Sequence, residues 1–592
     1  MISGKQIGDL TFPKRKKKKA REMTKVIGID TEAYVDGSPF MVATDLGEVF
    51  TPGRIPRIFF TPRYRGANFI FYNIKYDSGA ILYHLPAPAL RELWEWDEVR
   101  WNGFTYRYIP HKALTITDEK NRRVVFWDVS QFYKSSLDRA SRTYLHKRKM
   151  ETRTKRFSRP YVKRCWNHIA KYCLKDARLC GELGRYFISR LSDFGIVTSS
   201  IYSCASITYD FFVSRTKIST CRELFDGERK LVAMACDAYA GGKFEVTARG
   251  SFTGHSYDIV SAYPHEIRNL VSLDNCIVLY GRRYEPEAAY GFLRVRVDNR
   301  IGAPVPCGLK KGSDCIFPAG VFYTTITKAE YDYLLTTPVG VDILDAGWIF
   351  CDTVTYPYRD VIDDLFRIKA DAKKTKDKML YNTSKILMNS AYGKMAQVTW
   401  DKKKEQYVAG PWWNPVHAAA ITANTRITVT RLQAMLGKRC LAVHTDSVMC
   451  LDELPPCEVS GELGGLEHEI FGRGIVVASG MYEIADKTKY RGFRMRRGMT
   501  WRRLLKKYPG RMSVRVRQLH VESWVEAQAK GHPKEAINVF ENTMKKIDLN
   551  CDEKRLWKRR IKSDDLLDGL EYSFPIVVNH DKIPREWLIK NN

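Results

Sequence analysis

The chain has 592 residues, with 97 Lys or Arg against 67 Asp or Glu, so its formal net charge is +30. This length corresponds to about four domains, and so large a basic surplus is typical of proteins that bind a polyanion, nucleic acid before a membrane surface. No apolar run reaches the ~18 residues of a membrane span, no signal-peptide core is evident, and the 14 cysteines form no C-x-x-C pair, so we expect no membrane partner, no secretion and no zinc or disulfide framework.

The first segment in chain order is a basic run, PKRKKKKAR, at residues 13–21. Like charges at this density cannot bury apolar area, so we expect a disordered basic tail over residues 1–24. Such a run could bind nucleic acid, act as a nuclear address, or simply be solvated. The location of the protein is therefore left as intracellular, in the cytoplasm or the nucleus.

Three segments in the next 150 residues carry carboxylates at regular spacings. Asp30 and Glu32 end an apolar strand, where residues two apart project from the same face and repel each other unless a cation lies between them. A second apolar strand leads into N-x-x-x-D, and a helical stretch contains Y-x-x-x-D, whose two residues lie one turn apart. Four carboxylates and a phenol suit hydrolysis of a phosphodiester with two metal ions. These later residues are Asn73, Asp77, Tyr172 and Asp176.

Three further segments follow in the second half of the chain. HSYDIVSAYPHEI places Asp258 at a strand end, and LAVHTDSVMC places Asp446 at the tip of a hairpin, although a plain turn also explains Asp and Ser there. NTSKILMNSAYGKMAQ sets four residues at offsets 0, 4, 7 and 8, on one face of a helix. A cation there can meet a triphosphate, a ring can pack on a base pair, and glycine admits a close template. These residues are Lys385, Asn389, Tyr392 and Gly393.

The first three segments, in this order, resemble the exonuclease motifs of proofreading DNA polymerases. The resemblance implies that Asp30, Glu32, Asp77 and Asp176 bind metal ions. It also implies that Tyr172 positions the attacking water. In the same family, the residue that corresponds to Asn73 contacts the single-stranded primer end.

The later segments resemble motifs A, B and C of family B DNA polymerases. The resemblance implies that Asp258 and Asp446 hold two catalytic ions, Mg²⁺ or Mn²⁺, with two ions in each active site. It implies that the ring of Tyr263 lies beneath the nucleotide sugar and excludes a 2′-hydroxyl. Upstream, FRIKADAKKTKDK is expected to supply a second triphosphate cation, and we favour Lys369 over Lys373 because it directly follows the apolar stretch.

The sequence departs from the family motifs at two places. His444 replaces the first aspartate of motif C, which leaves open a slow or inactive polymerase, a changed preference between Mg²⁺ and Mn²⁺, and a charge gained below neutrality if its pKa is near the ordinary 6.5. In SGMYEIAD, Tyr482 matches the primer-binding K-x-Y motif but Gly480 replaces its lysine. The missing cation could come from Arg491, Arg494 or Arg496.

The segment DAYAGGKF resembles the Y-x-G-G motif of protein-primed polymerases, such as those of small Bacillus phages, adenoviruses and linear plasmids. Tyr239, Gly241 and Gly242 would then contact DNA and Lys243 would supply charge, although a plain glycine turn is the alternative. The gap between motifs A and B matches the insertion that contacts a priming protein in that branch. The loop between motifs B and C, at residues 396–415, is shorter than the second insertion of the phage enzymes, which encircles DNA and supports strand displacement. The resemblance therefore leaves strand displacement and processivity open.

We therefore expect an α/β and α+β multidomain protein: a ribonuclease-H-like 3′–5′ exonuclease domain followed by a right-hand polymerase with palm, fingers, thumb and insertions. Its expected partners are DNA template and primer, dNTPs and a priming (terminal) protein. The alternative is a DNA-binding exonuclease with an impaired polymerase half. The expected divisions are 1–24 tail, 25–195 exonuclease, 196–270 first palm part, 271–360 insertion, 361–395 fingers, 396–415 second insertion, 416–500 second palm part, and 501–592 thumb with a C-terminal extension.

Overall fold

The computed structural model describes the chain apart from residues 1, 13–22, 153, 155–156, 312–313, 494–497, 522–523, 532–539, 581, 585–586 and 588–592. The basic run and the candidate cations Arg494 and Arg496 therefore lie outside the described residues. Within the described part of the chain, no helix is both long enough and apolar enough to cross a membrane.

The N-terminal body is an eight-stranded mixed sheet, in which β2 pairs in parallel with β5 and β5 with β9. The long helix α5 packs across β2, and this contact brings its middle turns beside the acidic end of that strand. The elements, after the two-residue strand β1 (Leu10–Thr11), are β2 (Val26–Ala33), β3 (Pro39–Thr44), β4 (Val49–Phe50), β5 (Asn68–Phe71), α1 (Ile74–Leu82), α2 (Ala87–Trp96), β6 (Glu98–Trp101), β7 (Phe104–Ile109), β8 (Ala113–Asp118), β9 (Arg123–Asp128), α3 (Ser130–Tyr133), α4 (Leu137–Ala140) and α5 (Arg159–Ser192).

A central sheet and the helices on it form the second body. Its main path runs β10-β20-β21-β11-β22-β23-β24, so β11, which carries Asp258, pairs directly with β21, which begins just after Asp446. The elements are α6 (Cys204–Arg215), α7 (Arg222–Gly227), α8 (Arg229–Ala238), β10 (Phe244–Val246), β11 (Ala248–Ile259), α9 (Ala262–Arg268), and later α13 (Pro415–Leu436), β20 (Cys440–His444), β21 (Ser447–Cys450), β22 (Leu466–Ala478), β23 (Met481–Ile484) and β24 (Lys487–Lys489).

Two further units interrupt the central body between α9 and α13. The first is an antiparallel sheet with a hairpin and one helix, and the second is a helical hairpin followed by a short β-hairpin. The elements are β12 (Cys276–Gly281), β13 (Tyr290–Asn299), β14 (Leu309–Lys311), β15 (Asp314–Ile316), β16 (Ala319–Thr327), α10 (Lys328–Leu335), β17 (Gly340–Cys351), α11 (Arg359–Lys374), α12 (Lys378–Met395), β18 (Val398–Asp401) and β19 (Gln406–Ala409).

The C-terminal part first packs through α14 on β22 and β23 of the central sheet. Its last strands then pair with the central sheet and with the inserted sheet. Strand β28 pairs with β11 of the central sheet, and β30 adds a parallel strand beside β16 of the inserted sheet. The elements are α14 (Trp501–Lys507), β25 (Ser513–Val521), α15 (Trp524–Ala529), β26 (Phe540–Asp548), β27 (Arg555–Leu556), α16 (Ser563–Asp568), β28 (Leu570–Tyr572), β29 (Phe574–Pro575) and β30 (Val577–Asn579).

The expectation of a disordered tail over residues 1–24 is wrong for residues 2–12. The side chains of Ile2, Ile7 and Leu10 are buried in one cluster with apolar residues of α8 and α13. Strand β1 pairs in parallel with β19, and the amide of Gly4 donates to Asp237 Oδ1 at 2.7 Å. We call residues 2–12 the N-terminal strap. Its three apolar side chains are enough to order the segment next to a basic run, because they pack on an apolar surface formed by α8 and α13.

The strap predicts a local response to a single truncation. Leu10→Ala should lower the free energy of local unfolding of the strap by about 2–5 kcal/mol, because it removes a buried side chain and leaves a cavity. Amide hydrogen exchange of residues 406–409 in β19 should accelerate, whereas the exposed Asp9→Ala should leave it unchanged. Equal exchange in both variants would show that β19 is stable without the strap.

Candidate active sites

The structure brings the four N-terminal carboxylates together. Asp30 and Glu32 project from the same face of β2, Asp77 comes from α1, and Asp176 comes from α5. Ligand atoms of Asp30, Glu32 and Cys173 lie within 4.8 Å of one another. The hydroxyl of Thr31 donates to Asp77 Oδ1 at 2.7 Å and orients that carboxylate.

The electrostatics of this cluster match a site built for a cation. Burial, followed by the charges of Asp176 and Asp77, raises the pKa of Asp30 well above its ordinary value. Burial also raises the pKa of Asp77 to about 7. Burial keeps Cys173 a neutral thiol by raising its pKa, so the ligand atoms left are carboxylate oxygens, which hard divalent ions such as Mg²⁺ prefer.

Lys149 belongs to this cluster, and the sequence analysis missed it. Its ammonium lies 2.5 Å from Asp176 Oδ2 and 5.1 Å from the ring centre of Tyr172. Burial lowers the pKa of Lys149, but Asp176 and Tyr172 outweigh burial and leave the pKa raised. No local pattern marks this lysine, because it precedes α5 in a stretch that is basic throughout.

Asn73 is exposed at the start of α1 and lies beside the cluster. Asp128, at the end of β9, accepts hydrogen bonds from the backbone amides of Asn73 and Ile74, both at 3.1 Å. A buried carboxylate thus holds the first turn of α1 and fixes where Asn73 and Asp77 project. Asp128 is a second residue that the motifs did not indicate.

The second acidic cluster is formed by strand pairing in the central sheet. Asp258 on β11 is the register partner of Ser447 on β21, and the amide of Ile259 donates to the carbonyl of Asp446 at 2.7 Å. Burial, then the charge of Asp446, raises the pKa of Asp258 to about 6. The pKa of Asp446 is also raised, first by burial.

Glu469 and Lys487 complete the charges around this pair. Glu469 raises the pKa values of both Asp258 and Asp446, and Lys487 lowers both. The two side chains form an ion pair of 2.5 Å between β22 and β24. Glu469 reaches the site because β22 pairs with β11, and Lys487 reaches it from β24 through its ion pair with Glu469, so sequence spacing gave no sign of either residue.

The expected triphosphate cations lie on the two helices of the α11–α12 hairpin. Lys369 Nζ donates to Ser261 Oγ at 2.9 Å, next to Asp258, and the charge of Lys385 lowers the pKa of Asp258. Lys373 is exposed one turn further along α11. The choice of Lys369 over Lys373 therefore has a geometric reason. Asn389 and Gly393 are exposed on the same face of α12 as Lys385.

Three tyrosines, Tyr239, Tyr263 and Tyr392, pack together. The rings of Tyr263 and Tyr392 lie 4.6 Å apart, and the hydroxyls of Tyr239 and Tyr392 are hydrogen-bonded. Burial, then the charge of Asp446, raises the pKa of Tyr263 to about 12. Tyr239 of the Y-x-G-G segment thus touches the motif B tyrosine, and a DNA contact for Tyr239 stays a prediction.

The two glycines of the Y-x-G-G segment have different surroundings. A Cβ on Gly242 would lie 2.5 Å from Thr445 Cγ2 and 3.0 Å from Thr445 Cα, whereas a Cβ on Gly241 would meet no atom within 4 Å. Gly242 therefore allows the turn that carries Asp446 to pack against this segment. The bond from the Thr445 amide to the Lys243 carbonyl, at 2.7 Å, fixes the same contact.

The expectation that Lys243 supplies charge to a ligand is wrong. Its side chain is fully buried, donates to the carbonyl of Val305 at 2.9 Å and lies 3.5 Å from Glu245. Burial lowers the pKa of Lys243. A lysine that follows two glycines resembles a phosphate ligand in sequence, but here it ties β10 to the inserted unit.

His444 lies in an aromatic layer and not among the carboxylates. Its ring stacks on Tyr482 at 5.0 Å with an interplanar angle of 10° and contacts Phe244 at 4.9 Å. Burial lowers the pKa of His444 to about 4. The expected gain of charge just below neutrality is therefore wrong, because the imidazole is neutral throughout pH 6–8.

The K-x-Y segment also differs in a way that the structure explains. Gly480 has a φ of +72° in the turn between β22 and β23, a conformation that a lysine adopts only with strain. Arg491 lies over the ring of Phe244 at 5.1 Å, beside the His444 layer. Its role as the replacement cation stays a prediction.

The architecture resembles that of a DNA polymerase of known structure. The chain superposes on phi29 DNA polymerase bound to primer-template DNA and incoming nucleotides with a TM-score of 0.63, covering 89% of this chain and 100% of that one at 14% identity. For phi29 DNA polymerase bound to single-stranded DNA, the TM-score is 0.60 at 15% identity, with the same coverage. The chain therefore shares the fold of phi29 DNA polymerase.

Sequence comparison leads to the same family B polymerases. The family described as DNA polymerase type B, organellar and viral, matches residues 149–410, which include Asp258 and Lys385. The DNA-directed DNA polymerase of Enterobacteria phage PRD1 is 26% identical over 278 residues, 40% of this chain. The match spans 48% of that relative's length. The expected fold class and the resemblance to protein-primed family B polymerases are thereby confirmed.

The contact between Gly242 and Thr445 predicts different effects for the two neighbouring glycines. Gly242→Ala should displace the turn before Asp446 and accelerate hydrogen exchange of the Thr445 amide by about tenfold or more, because 1.4 kcal/mol of local destabilisation gives a factor of ten. Gly241→Ala should leave that amide unchanged. If the Thr445 amide exchanges at the same rate in both variants, the turn adapts to the added methyl group and the close packing is not required.

Proposed function

We propose that this protein is a template-directed DNA polymerase with a 3′–5′ proofreading exonuclease. The observation that carries the proposal is the pairing of β11 with β21, which places Asp258 and Asp446 side by side in a polymerase fold. The other acidic cluster, formed by Asp30 and the carboxylates around it, lies in a separate body, on β2, α1 and α5. Two separate acidic sites support two separate activities.

In the polymerase site, Asp258 and Asp446 would hold two divalent ions, Mg²⁺ or Mn²⁺. Bound ions supply charge for the α-phosphate and lower the pKa of the attacking hydroxyl. Lys369 and Lys385 would bind the triphosphate, and the Tyr263 ring would lie beneath the sugar of a dNTP. The hydroxyl that attacks belongs to a primer end or to the side chain of a priming protein.

In the exonuclease site, Asp30, Glu32, Asp77 and Asp176 would hold the ions. Tyr172 and Lys149 would orient the attacking water, a role supported by the Lys149 ammonium lying 2.5 Å from Asp176 and 5.1 Å from the Tyr172 ring centre. Exposed Asn73 would contact the displaced primer strand. The pKa values of Asp30 and Asp77 are raised first by burial and then by neighbouring carboxylates, which supports ion binding, since a bound cation stabilises the charged form of a buried carboxylate.

The partners follow from the same proposal. We propose DNA template and primer, dNTPs and a priming protein, with the inserted unit of β12–β17 as the region that contacts the last. We also propose an intracellular location in a host cell. The alternative of an exonuclease with an impaired polymerase half rested on His444, and the packing of His444 among Phe244 and Tyr482 leaves Asp258 and Asp446 intact, so nothing favours that alternative.

The polymerase assignment predicts the effect of removing one acid. Asp258→Ala should reduce extension of a short primer with dNTPs and Mg²⁺ by about 10³-fold or more, because a lost metal ligand costs several kcal/mol of transition-state stabilisation. Degradation of single-stranded DNA should continue at the wild-type rate. Asp452→Ala, an exposed acid six residues after Asp446, is the matched control and should extend normally. Equal loss of both activities in Asp258→Ala would contradict two independent sites.

The exonuclease assignment predicts the reverse. Asp30→Ala combined with Glu32→Ala should abolish 3′–5′ degradation of a labelled single strand and spare primer extension. Asp36→Ala, whose exposed carboxylate pairs with Arg159 at 3.0 Å, is the control and should degrade DNA normally. Degradation that persists in the double variant would place the hydrolytic site elsewhere.

A further inference from the structure

A cavity of about 510 Å³ lies behind the Y-x-G-G segment, outside both acidic sites. Four parts of the chain line it: the N-terminal strap, helix α8, the inserted sheet and Trp587. Its inner end is formed by Ala240, Glu330 and Arg426. This volume is within the roughly 300–1,000 Å³ of small-molecule sites.

The lining of this cavity is strongly cationic. It contains six Lys or Arg side chains and only two acids, Asp237 and Glu330. Both acids are already engaged, because Asp237 accepts a hydrogen bond from Gly4 and Glu330 pairs with Arg426. The cations are Lys5, Arg229, Lys230, Arg294, Lys310 and Arg426.

The neighbouring acid Asp345 neutralises only part of this charge. It lies 3.0 Å from Lys230 and 3.6 Å from Arg294, so two cations share one carboxylate. Among the described residues, the buried Nε of Arg294 has no hydrogen-bond acceptor. A concave surface of one sign concentrates counter-ions, and guanidinium and ammonium groups suit phosphate oxygens in particular.

One wall of the cavity is aromatic. Trp587 packs edge-on against Tyr323, and the guanidinium of Arg294 lies 5.5 Å from the Trp587 ring centre. The hydroxyl-bearing side chains Thr324 and Thr325 lie in the same lining. A ring beside a cluster of cations is the combination that a base with attached phosphates requires.

The cavity is chemically distinct from the polymerase site but connected to it. Neither Asp258 nor Asp446 lines it, so a ligand there would need no divalent ion. Arg426 lines it and also donates to the carbonyls of Ala240 and Gly241, at 2.7 and 3.0 Å. An anion in the cavity would therefore act on the segment that carries Tyr239.

We propose that this cavity is a binding site for a small phosphorylated anion, with phosphates on the cations of α8 and β14 and any attached base on Trp587. The shared chemistry is the phosphate group, which either a free nucleotide or an inorganic polyphosphate presents. The proposal does not depend on the proposed polymerase activity, because it rests on the cavity alone.

The test is calorimetric titration of the full chain with ATP and with inorganic tripolyphosphate, without DNA and with EDTA present. Metal-free conditions suppress binding at the acidic sites, whose carboxylates repel phosphates when no ion is bound. Lys310→Glu should weaken binding by about tenfold or more, since it replaces a phosphate partner by a like charge. Lys311→Glu is the matched control: it makes the same charge change on the next residue of β14, which lines a different cavity.

The outcomes separate cleanly. Weaker binding in Lys310→Glu with affinity within about twofold of wild type in Lys311→Glu supports the site, given unchanged circular dichroism of both variants. If wild type binds ATP more tightly than tripolyphosphate and Trp587→Ala loses this preference, the ligand of the cavity is a nucleotide. If wild type binds both anions with equal affinity, the ligand is an inorganic phosphate. The absence of binding by either anion, or equal weakening in both lysine variants, would overturn the proposal.

Discussion

The buried ion pair between Arg426 and Glu330 is the constraint on which the polymerase half depends. Both side chains are 1% exposed and their closest atoms lie 2.7 Å apart. Arg426 on α13 also donates to the carbonyls of Pro306, Ala240 and Gly241, so one guanidinium joins the palm helix, the inserted unit and the Y-x-G-G segment. Charges this deep are costly to desolvate, and removing one partner would leave the other unpaired at about 3–5 kcal/mol. The ion pair therefore fixes the positions of these three parts of the chain relative to one another.

Both acidic clusters hold like charges close together. Strand pairing forces Asp258 and Asp446 together, and packing of α5 on β2 forces Asp176 toward Asp30. A carboxyl whose folded pKa is raised destabilises the fold when ionised. For Asp258 this loss of folding stability grows as the pH rises from about 3.8, the ordinary pKa, to about 6, the pKa in the folded protein. It is fully present above about pH 6 and is relieved as the pH falls. A bound divalent ion relieves the same repulsion at neutral pH, which couples cation binding to stability.

The sequence predicted what depends on local pattern and missed what depends on contacts between distant segments. Alternation along β2 predicted the shared face of Asp30 and Glu32, and the helical spacing in α12 predicted the exposed stripe that contains Lys385. Lys149 was missed because its partner, Asp176, lies on a helix that begins ten residues later. Lys243 was misread because a basic residue after two glycines resembles a phosphate ligand, whereas its burial against Val305 depends on an insertion 62 residues further along the chain. The roles of the individual site residues remain predictions.

The two ends of the chain explain how short elements are held in place. The β18–β19 hairpin is too small to pack alone, yet β1 adds a third strand to it, and Lys403 at its tip reaches Glu98 of the N-terminal body at 3.0 Å. An exposed ion pair contributes at most about 1 kcal/mol, so the position of the hairpin depends mainly on β1 and its buried apolar contacts. At the other end, β30 extends the inserted sheet beside β16. Each of these terminal segments thus adds a strand to a sheet formed by the middle of the chain, and the short β18–β19 hairpin still contacts the N-terminal body.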